Sequence, residues 1–470
     1  MPYSARIDEA NLSPNRVRIA IFGAGPAGFY AAEELLSQRS GCIAVDLFDR
    51  LPTPYGLVRG GVAPDHQKIK NVIKRYEKTA ARPGFRFFGN VTFGGDLDLA
   101  EALAHYHQVL IATGAQSDRL LGIPGEDLLG SHSAAAFVAW YNGHPDYRDS
   151  VFDLRAETAV VIGNGNVAVD VARILTRSID ELETTDIAGH ALEVLRESQI
   201  NQVYLLGRRG PAQAAFTPAE LNEMMRMKGV DFVVRPLDLD ETQAPVHSRA
   251  GSSPASRKNL ELLRAQSERG EGIQPRKVRA RFFTSPVEVL GKRRVEGLRV
   301  EHNRLTEGAD GEVTSHGTGV FEEIPCQLIF RSIGYKGLQV PGIPFEERRG
   351  VIPHRDGRVV DPITNLPLAR VYVAGWIKRG PSGVIGTNKG DAEATVRAML
   401  ADLDLHSKLT GLSLEEHDLP DVLARKKIEV VTFDHWKRID GVEIAAGAPK
   451  GKPREKLTRI AELLAARSIE

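Results

Sequence analysis

The residues with the clearest chemical meaning form a G-x-G-x-x-G turn directly after the apolar run 17–22. Its glycines are Gly23, Gly25 and Gly28. In such a turn the first glycine allows a tight bend, the second lets the backbone approach a pyrophosphate, and the third lets helix and strand pack closely. The phosphates then lie at the helix N-terminus, where free N–H groups favour negative charge. The next apolar run ends at Asp49, which can accept hydrogen bonds from an adenosine ribose, so the segment predicts a dinucleotide site.

A second turn of the same kind follows the apolar run 159–162. Its residues are Gly163, Asn164, Gly165, Asn166, Val167 and Ala168, in which Ala168 replaces the third glycine and still allows close packing. The next strand pattern, 202–206, is followed by Arg208 and Arg209 instead of an acidic residue. Guanidinium groups match a phosphate in geometry and charge, and an arginine near the ribose accommodates a 2′-phosphate. This turn therefore predicts a site that prefers NADP(H) over NAD(H).

The two turns differ in the group that follows the next strand, and this difference predicts two different ligands. The acidic residue favours FAD at the first turn, and the arginine pair favours NADPH at the second, with hydride passing from the nicotinamide to the flavin. From residue 17 onward, short apolar runs alternate with longer helical patterns, which indicates α/β layers with parallel sheets. We therefore predict an α/β protein with two Rossmann-like dinucleotide-binding domains.

The composition argues against several other classes of protein. The 470 residues contain 61 Lys and Arg against 61 Asp and Glu, so binding of nucleic acid by bulk positive charge is not expected. Cys42 and Cys326 are too few for a disulfide framework, a four-cysteine zinc site or a cysteine-bound cluster, and no metal site is predicted. No apolar run reaches the roughly 18 residues of a membrane helix, and residues 1–16 lack the pattern of a signal peptide. We expect a protein of the reducing cytoplasm with a mobile N-terminal tail, 1–16, and no membrane insertion.

Longer blocks of the sequence carry a family resemblance. These blocks are YGLVR at 55–59, GVAPDH at 61–66, GNVA at 165–168, GRRGP at 207–211, FT at 216–217 with EL at 220–221, SIGY at 332–335, and GWIKRGPSGVIGTN at 375–388. On these blocks the chain resembles adrenodoxin reductase and its bacterial ferredoxin–NADP reductase relatives. The resemblance extends from about residue 17 to 400, which is most of the chain.

The resemblance implies a discontinuous FAD-binding domain, formed by 17–115 and by 331–470 with a helical C-terminal tail. An NADP-binding domain, 116–330, interrupts it. The chain is expected to leave the first domain at 109–114 and to return at the strands 328–330 and 371–375. Trp376 stands where many flavoprotein reductases place an aspartate, and its ring is suited to stacking near the isoalloxazine.

The resemblance also implies site residues. Flavin contacts are expected from Gly23, Gly25, Ala27, Gly28, Asp49, Leu57, Trp376, Gly383, Val384 and Ile385. NADP contacts are expected from Asn164, Gly165, Asn166, Val167, Arg208, Arg209, Glu220 and Gly383. His66, Asp170 and Glu223 are expected near the flavin–nicotinamide junction, where His66 and a carboxylate could form a proton route, since the ordinary pKa of histidine is about 6.5. The alternative for His66 is a hydrogen bond to the backbone in a turn after Pro64.

The implied activity is that of a ferredoxin–NADP⁺ reductase, which passes a hydride from NADPH to FAD and single electrons to a ferredoxin-type iron–sulfur protein. Because ferredoxins are acidic, a basic docking surface is expected. Its candidates are Arg226, Lys228, Arg257, Lys258, Arg264 and Lys378. A disulfide reductase of the thioredoxin or glutathione type needs a dithiol motif that this chain lacks. A flavin-dependent monooxygenase and a non-enzymatic nucleotide-binding sensor stay as alternatives.

Two segments without these motifs are also predicted. The stretch 242–272 is expected to be an exposed loop that runs into a short helix, with basic residues on the surface. The charged tail 425–470 is expected to be mostly helical, with a break at Pro449 and Pro453.

Overall fold

The computed structural model describes residues 17–38, 42–245, 253–308, 312–409 and 419–469. The predicted N-terminal tail, 1–16, lies outside the described residues. The strands are β1 (Val17–Phe22), β2 (Ile43–Asp49), β3 (Phe85–Gly89), β4 (Gln108–Ile111), β5 (Ser117–Asp118), β6 (Ser131–Ser133), β7 (Thr158–Ile162), β8 (Gln202–Leu206), β9 (Val230–Val234), β10 (Arg276–Arg281), β11 (Thr284–Leu290), β12 (Gly297–Glu307), β13 (Val313–Pro325), β14 (Leu328–Arg331), β15 (Tyr335–Lys336), β16 (His354–Arg355), β17 (Arg358–Val360) and β18 (Pro367–Val373).

The helices alternate with these strands in the two dinucleotide-binding units. They are α1 (Pro26–Gln38), α2 (Leu57–Gly60), α3 (Gln67–Lys70), α4 (Ile73–Ala80), α5 (Leu99–His105), α6 (Ala134–Tyr141), α7 (Asn166–Thr176), α8 (Ile179–Leu182), α9 (Gly189–Arg196), α10 (Pro218–Met225), α11 (Pro254–Arg269), α12 (Trp376–Arg379), α13 (Thr387–Leu409), α14 (Leu419–Arg425), α15 (Phe433–Gly447) and α16 (Ile460–Ala466).

The first sheet has the strand order β16-β17-β18-β4-β1-β2-β3, in which β18, β4, β1, β2 and β3 run parallel. The pairing of β18 with β4 brings a strand from the C-terminal part of the chain beside one from the N-terminal part, with Val371 opposite Val109. Apolar side chains of these strands are buried, as the short apolar runs predict for parallel strands. We call this sheet with its helices the first unit; it is discontinuous in sequence.

The second sheet, with the order β6-β14-β7-β8-β10-β9, is parallel throughout. We call it, with helices α6 to α11, the second unit. The prediction that strand 328–330 returns to the first sheet is wrong, because β14 pairs with β7 of the second sheet, with Leu328 opposite Ala159. The return to the first sheet is made by β16, β17 and β18. The predicted α/β class with two parallel sheets is confirmed.

Smaller elements complete the structure. An antiparallel sheet of β11, β12 and β13, which the sequence analysis did not predict, extends from the second unit. Strands β5 and β15 pair antiparallel, so the two crossings of the chain between the units lie side by side. In the C-terminal tail, α15 and α16 flank the segment that contains Pro449 and Pro453, as predicted, and Trp436 and Leu463 are buried in the core of the first unit. None of the described helices combines the length and the apolar character needed to cross a membrane.

Buried charge joins the two units beside α3. Lys70, the last residue of α3, donates to both carboxylate oxygens of Asp186 in the second unit, at 2.6 and 2.8 Å. The ammonium of Lys456, from the C-terminal tail, lies 3.4 Å from the same carboxylate. A buried charge is costly without an opposite partner, so these pairs hold α3 in place against the second unit. His66 immediately precedes this helix.

Candidate active site

The first glycine turn has the geometry that a pyrophosphate requires. Gly23 has φ +116°, and a Cβ there would lie 2.3 Å from the carbonyl oxygen of Ala112, while a Cβ at Gly28 would lie 2.0 Å from the carbonyl oxygen of Gly23. Both positions therefore need glycine for the bend and for helix–strand packing. At Gly25 the space is open, because the nearest atom to a built Cβ is the Gly56 Cα at 4.0 Å. The backbone at the start of α1 thus offers a cradle that a phosphate fits.

Asp49 ends β2 beside this turn. Its carboxylate accepts hydrogen bonds from the backbone N–H groups of Ala24, at 2.9 Å, and Leu51, at 3.0 Å. Burial raises the pKa of Asp49, against the opposing effect of these two hydrogen bonds. The Asp49 carboxylate therefore stabilises the turn through these two hydrogen bonds. The predicted contact of Asp49 with a ribose stays a prediction.

The segment before α2 closes over the first turn. The backbone N–H of Tyr55 donates to the carbonyl oxygen of Ala24, at 2.8 Å, and a Cβ at Gly56 would lie 2.9 Å from the Cα of Gly25. This close approach sets Leu57 at the start of α2, beside the cradle. The predicted flavin contact of Leu57 is consistent with this position.

The loop after β18 reaches the same place from the far end of the chain. A Cβ at Gly375 would lie 2.7 Å from the Cβ of Ala27, so the loop passes directly over the start of α1. The N–H of Gly375 donates to Asp391 at 2.6 Å, and Asp391 also pairs with Lys378 at 2.9 Å. The ring of Trp376 lies 5.6 Å from that of Tyr335. The structure thus brings Ala27 and Trp376 together at one edge of the first sheet.

The loop 383–385 lies on the surface between α12 and α13. The hydroxyl of Thr387 accepts the N–H of Val384 at 3.1 Å, and the Val384 side chain is exposed although it is apolar. Gly383 and Val384 are therefore available to a ligand from solvent, whereas Ile385 is part-buried against the core of the first unit. The predicted flavin and NADP contacts of these three residues stay predictions.

The second glycine turn repeats the first. Gly163 has φ +135°, and a Cβ there would lie 2.2 Å from the carbonyl oxygen of Ser332, whereas Gly165 has no atom within 4 Å of a built Cβ. The side-chain oxygen of Asn166 accepts the N–H of Thr217 at 2.9 Å, and the carbonyl oxygen of Asn164 accepts the N–H of Phe216 at 3.0 Å. These bonds fix the turn, with Val167 in the first turn of α7, and leave an open cradle at Gly165.

Arg208 and Arg209 follow β8 at the edge beside this cradle. Their carbonyl oxygens are held by Asn303, which donates to Arg208 at 2.8 Å, and by the N–H of Phe283, which donates to Arg209 at 3.0 Å. Both side chains are exposed, and neither guanidinium makes an ion pair within the described parts of the chain. The backbone is thus fixed while two cationic groups stay available to an anion, which is the arrangement that recognition of a phosphate needs.

His66 lies where the two units meet, and the structure brings the three predicted polar residues together there. The His66 Nε2 lies 2.9 Å from Glu223 Oε2, on α10, and its Nδ1 lies 3.9 Å from Asp170 Oδ1, on α7. The alternative, in which the ring only bonds the backbone of its own turn, does not describe this geometry. The hydrogen bond to Glu223 and the longer electrostatic contact with Asp170 each join a residue of the first unit to a helix of the second.

The protonation of this group is set by burial and by the neighbouring charges. Burial disfavours the imidazolium, but the hydrogen bond with Glu223 and the nearby carboxylates outweigh it and raise the pKa of His66 above its ordinary 6.5. The hydrogen bond from His66 lowers the pKa of Glu223 to about 2. Burial raises the pKa of Asp170. Below the raised pKa of His66, this residue and Glu223 therefore form a charge-assisted pair, next to the Asp170 carboxyl group, which takes up a proton more readily than usual.

Glu220 was predicted as an NADP contact, and the structure places it in the His66 cluster. Its Oε2 lies 3.8 Å from His66 Nε2, and the hydroxyl of Thr217 caps α10 at the N–H of Glu220. This oxygen is buried without a hydrogen-bond partner among the described residues. Burial raises the pKa of Glu220. An unpaired buried oxygen at this junction is a group that a polar ligand such as a nicotinamide amide can satisfy.

Arg173, Asp65 and Arg177 belong to this cluster, and the sequence analysis missed all three. Arg173 is fully buried, and its guanidinium contacts Asp65, Asp170 and Glu223 at 2.7, 2.6 and 2.5 Å. Arg177 lies 3.1 Å from Glu223. The signal was present, because Arg173 follows Asp170 by three residues and so shares its helix face. The carboxylates around His66 lie close enough together to hold a cation. The guanidinium of Arg173 supplies the positive charge at this place.

The proposed basic docking residues divide into two groups. Arg257, Lys258 and Arg264 are exposed on α11, as predicted, and Arg226 and Lys228 are exposed after α10. The prediction for Lys378 is wrong: this side chain is buried, where it pairs with Asp391 and donates to Thr395 at 3.1 Å. Lys378 supports the loop over α1 and is not part of a docking surface.

The His66–Glu223 pair predicts a pH-dependent contribution to stability. The raised pKa of His66 means that its contribution is complete below pH 6.5 and is lost as the pH rises through the raised value. The lowered pKa of Glu223 means that its contribution is complete above pH 4.5 and is lost as the pH falls toward 2. A double-mutant cycle with His66→Gln and Glu223→Gln should therefore give a coupling free energy of about 0.5–1 kcal/mol near pH 5.5, a modest value because Glu223 is part-exposed.

The measurement is chemical denaturation of the four proteins at several pH values. The coupling free energy should approach zero at alkaline pH, where the imidazole is neutral, while the pairing of Glu223 with the two arginines persists. A coupling free energy that stays constant from acidic to alkaline pH would contradict the assignment of an ion pair.

Comparison with known proteins agrees with this geometry. Residues 17–236 match the family described as pyridine nucleotide-disulphide oxidoreductase. The chain is 47% identical to the NADPH-ferredoxin reductase FprA of Mycobacterium leprae, over 95% of this chain and 97% of that protein. It is 42% identical to the mitochondrial NADPH:adrenodoxin oxidoreductase of Homo sapiens, over 95% of this chain and 91% of that protein. The structure of Mycobacterium tuberculosis FprA in complex with NADPH matches with a TM-score of 0.90 at 46% identity, over 96% of this chain and 99% of that chain.

Proposed function

Because this chain belongs to the family of NADPH–ferredoxin and NADPH:adrenodoxin reductases, we propose that it oxidises NADPH and passes the electrons to a ferredoxin-type iron–sulfur protein by way of bound FAD. The observation that carries this proposal is the junction at His66, where a residue of the first unit, which holds one nucleotide cradle, bonds directly to a helix of the second unit, which holds the other. When bound, FAD accepts a hydride and releases electrons singly, which matches a two-electron donor to a one-electron acceptor.

The residues of the first unit hold the flavin nucleotide in this proposal. Gly25 and the start of α1 bind the pyrophosphate, and Asp49 stabilises the turn. The loops at Leu57 and Trp376 enclose the rest of the flavin nucleotide. The division into a FAD-binding domain, 17–115 and 331–470, and an NADP-binding domain, 116–330, is supported by the strand order, although the boundary at 330 falls inside β14.

The residues of the second unit hold NADP(H). Gly165 and the start of α7 bind its pyrophosphate, and Arg208 and Arg209 bind the 2′-phosphate of its ribose. The cradle is shaped by Asn164 and Asn166, which accept hydrogen bonds from Phe216 and Thr217, and by Val167 in the first turn of α7. The helix α7 that begins at this cradle also carries Asp170, whose carboxylate faces His66 of the first unit.

The His66 cluster holds and moves a proton. In the charged pair both ring nitrogens carry a proton, with Nε2 directed at Glu223 and Nδ1 toward Asp170. Transfer of the Nδ1 proton to Asp170 and reprotonation of the ring from solvent, beside the part-exposed Glu223, let the imidazole serve as a proton relay. Asp170 and Glu223 are therefore the partners that set the direction of the ring and its proton affinity.

The acceptor is an acidic protein in this proposal, and the exposed basic residues of α11 with Arg226 and Lys228 form its docking surface. The proposal places the protein in the cytoplasm, and two free cysteines, exposed Cys42 and buried Cys326, support a reducing compartment.

Replacing His66 with Gln should slow NADPH-dependent reduction of a ferredoxin roughly ten- to a hundredfold, because glutamine fills the space but relays no proton. In the unchanged protein the rate should fall as the pH rises through the raised pKa of His66, since the charged ring is the active form. This decline should be absent in His66→Gln. Steady-state rates across pH 5–10 measure both effects, and unchanged rates with an unchanged profile would remove His66 from the mechanism.

The function itself is tested by supplying NADPH, a purified ferredoxin and cytochrome c as the final electron acceptor. The proposal expects reduction of cytochrome c that depends strictly on both NADPH and ferredoxin. A monooxygenase would instead consume oxygen in proportion to a hydroxylated product, and a nucleotide-binding sensor would bind NADPH without oxidising it.

A further inference from the structure

Arg173 has the most confined environment of the charged side chains in the His66 cluster. It is fully buried in α7, and one guanidinium contacts three carboxylates. Its Nη1 donates to Asp65 and Glu223, at 2.7 and 2.5 Å, and its Nη2 donates to Asp170 at 2.6 Å. The planar fork of an arginine can serve several carboxylates at once, which the point charge of a lysine cannot.

These three carboxylates come from three separate segments of the chain. Asp65 lies in the first unit and directly precedes His66, whereas Asp170 and Glu223 lie on α7 and α10 of the second unit. Asp65 is itself nearly buried, with 4% of its side chain exposed, so its contact with Arg173 is not a loose surface pair. The guanidinium therefore ties the segment that carries His66 to both helices that face the imidazole.

The cluster combines three cationic groups with four carboxylates. The cations Arg173, Arg177 and charged His66 face the carboxylates Asp65, Asp170 and Glu223. Glu220 is a fourth carboxylate of the cluster, and its Oε2 lies 3.8 Å from the same His66 Nε2 that bonds Glu223. The groups that act on His66 are thus Asp65 beside it, Asp170 and Arg173 on α7, and Glu220 and Glu223 on α10. Buried Tyr141 and part-buried Tyr335 lie near Asp170.

We propose that Arg173 is a positioning residue for this reaction, which fixes Asp65 and the adjacent His66 against Asp170 and Glu223 and so keeps the two units in one alignment. This inference rests on the proposed NADPH oxidation. Arg173 contacts neither reacting nucleotide in this account, and it acts through the imidazole and the carboxylates. Its loss should therefore change turnover and the proton affinity of His66 more than the binding of NADPH.

The test uses the flavin-loaded enzyme with Arg173→Lys, which keeps the charge but loses the fork, and with Asp65→Asn, which leaves Arg173 in place but releases the segment of His66. Both variants should lower kcat at least tenfold while KM for NADPH changes less than threefold. Both should also lower the pKa of His66, because the nearby negative charge or the bond to Glu223 is weakened. NMR titration of isotope-labelled histidine, with His66→Gln to assign the signal among the 13 histidines, measures this pKa apart from activity.

Arg281→Lys is the matched control. Arg281 is also buried and pairs with two carboxylates, Asp238 at 3.0 Å and Glu322 at 2.6 Å, but it lies in β10, outside the His66 cluster. Arg281→Lys should lower the thermal stability as much as Arg173→Lys, yet leave kcat and the His66 titration unchanged. If Arg173→Lys behaves like this control, the positioning role is wrong. If Arg173→Lys does not fold, the result with Asp65→Asn decides, and if the unchanged enzyme does not oxidise NADPH, the proposed function has failed instead.

Discussion

Replacing both Arg208 and Arg209 with Ala should lower kcat/KM for NADPH about 100- to 1,000-fold and change kcat/KM for NADH less than threefold. Both guanidinium groups are exposed at the end of β8 without ion-pair partners within the described ranges, so they are free to bind a phosphate. A charge-assisted hydrogen bond contributes about 1.5–3 kcal/mol, and a loss of roughly 2.7–4 kcal/mol for the pair corresponds to the stated range. NADH lacks the 2′-phosphate and therefore has no contact to lose. Initial rates with each nucleotide measure the effect.

The matched control removes two neighbouring positive charges elsewhere. Lys292 and Arg293 are exposed in the connection between β11 and β12, and their replacement with Ala changes the net charge by the same amount. This control should leave kcat/KM for NADPH within twofold. If Arg208→Ala/Arg209→Ala lowers kcat/KM equally for NADPH and NADH, the two arginines do not recognise the 2′-phosphate.

A single methyl group at Gly25 should deprive the protein of its flavin without unfolding it. The protein has room for the added Cβ, since the nearest atom lies at 4.0 Å, but the methyl group would point into the cradle where the pyrophosphate meets the backbone. We expect Gly25→Ala to weaken FAD binding more than tenfold, which is at least about 1.4 kcal/mol. The measurement is the ratio of flavin to protein absorbance after purification, together with the free energy of unfolding of the flavin-free protein.

Gly165→Ala provides the matched comparison in the second unit. Gly165 also has no atom within 4 Å of an added Cβ, so the substitution is equally compatible with the fold. It should leave the flavin content unchanged and weaken the binding of NADPH instead. If both variants lose flavin to the same degree, or if Gly25→Ala keeps a full complement, the assignment of the two cradles is wrong.

The two cradles could be predicted from the sequence because local sterics determine them. Gly23 and Gly163 take positive φ values that favour glycine, and the glycine spacing that marks each turn lies within six residues. The carbonyl oxygens that they meet, of Ala112 and Ser332, come from distant segments and could not be predicted from that window. The same is true of Arg208 and Arg209, whose place after β8 follows from the strand pattern alone. Local rules also predicted the helical tail around Pro449 and Pro453. They predicted only a short helix within 242–272, where α11 in fact extends over Pro254–Arg269.

The features that sequence analysis missed depend on contacts between distant segments. Lys378 resembles a surface lysine in sequence, but Asp391 and Thr395 on α13 hold it in the interior. Arg173 is one basic residue among 61, and its importance is visible only once Asp65 is brought from more than 100 positions away. The apolar pattern of strand β14 is compatible with either sheet. Its pairing with β7 depends on tertiary contacts that the local sequence does not contain.

The antiparallel sheet β11–β13 was missed for a different reason. Most residues of β13 are exposed, and the strand contains Gly317 and Gly319, so it lacks the alternation of apolar and polar residues that identifies a strand. Its stability comes from the long ladder with β12, which is a tertiary property.

The most direct test of the account is to mix the purified yellow protein with NADPH or NADH in the absence of oxygen and to follow the loss of flavin absorbance by stopped flow. The account predicts rapid bleaching by NADPH, bleaching by NADH that is at least a hundredfold slower at equal nucleotide concentration, and recovery of the colour when an oxidised ferredoxin is added. A protein that is isolated without flavin, that bleaches equally with both nucleotides, or that keeps its colour in the presence of NADPH would contradict it.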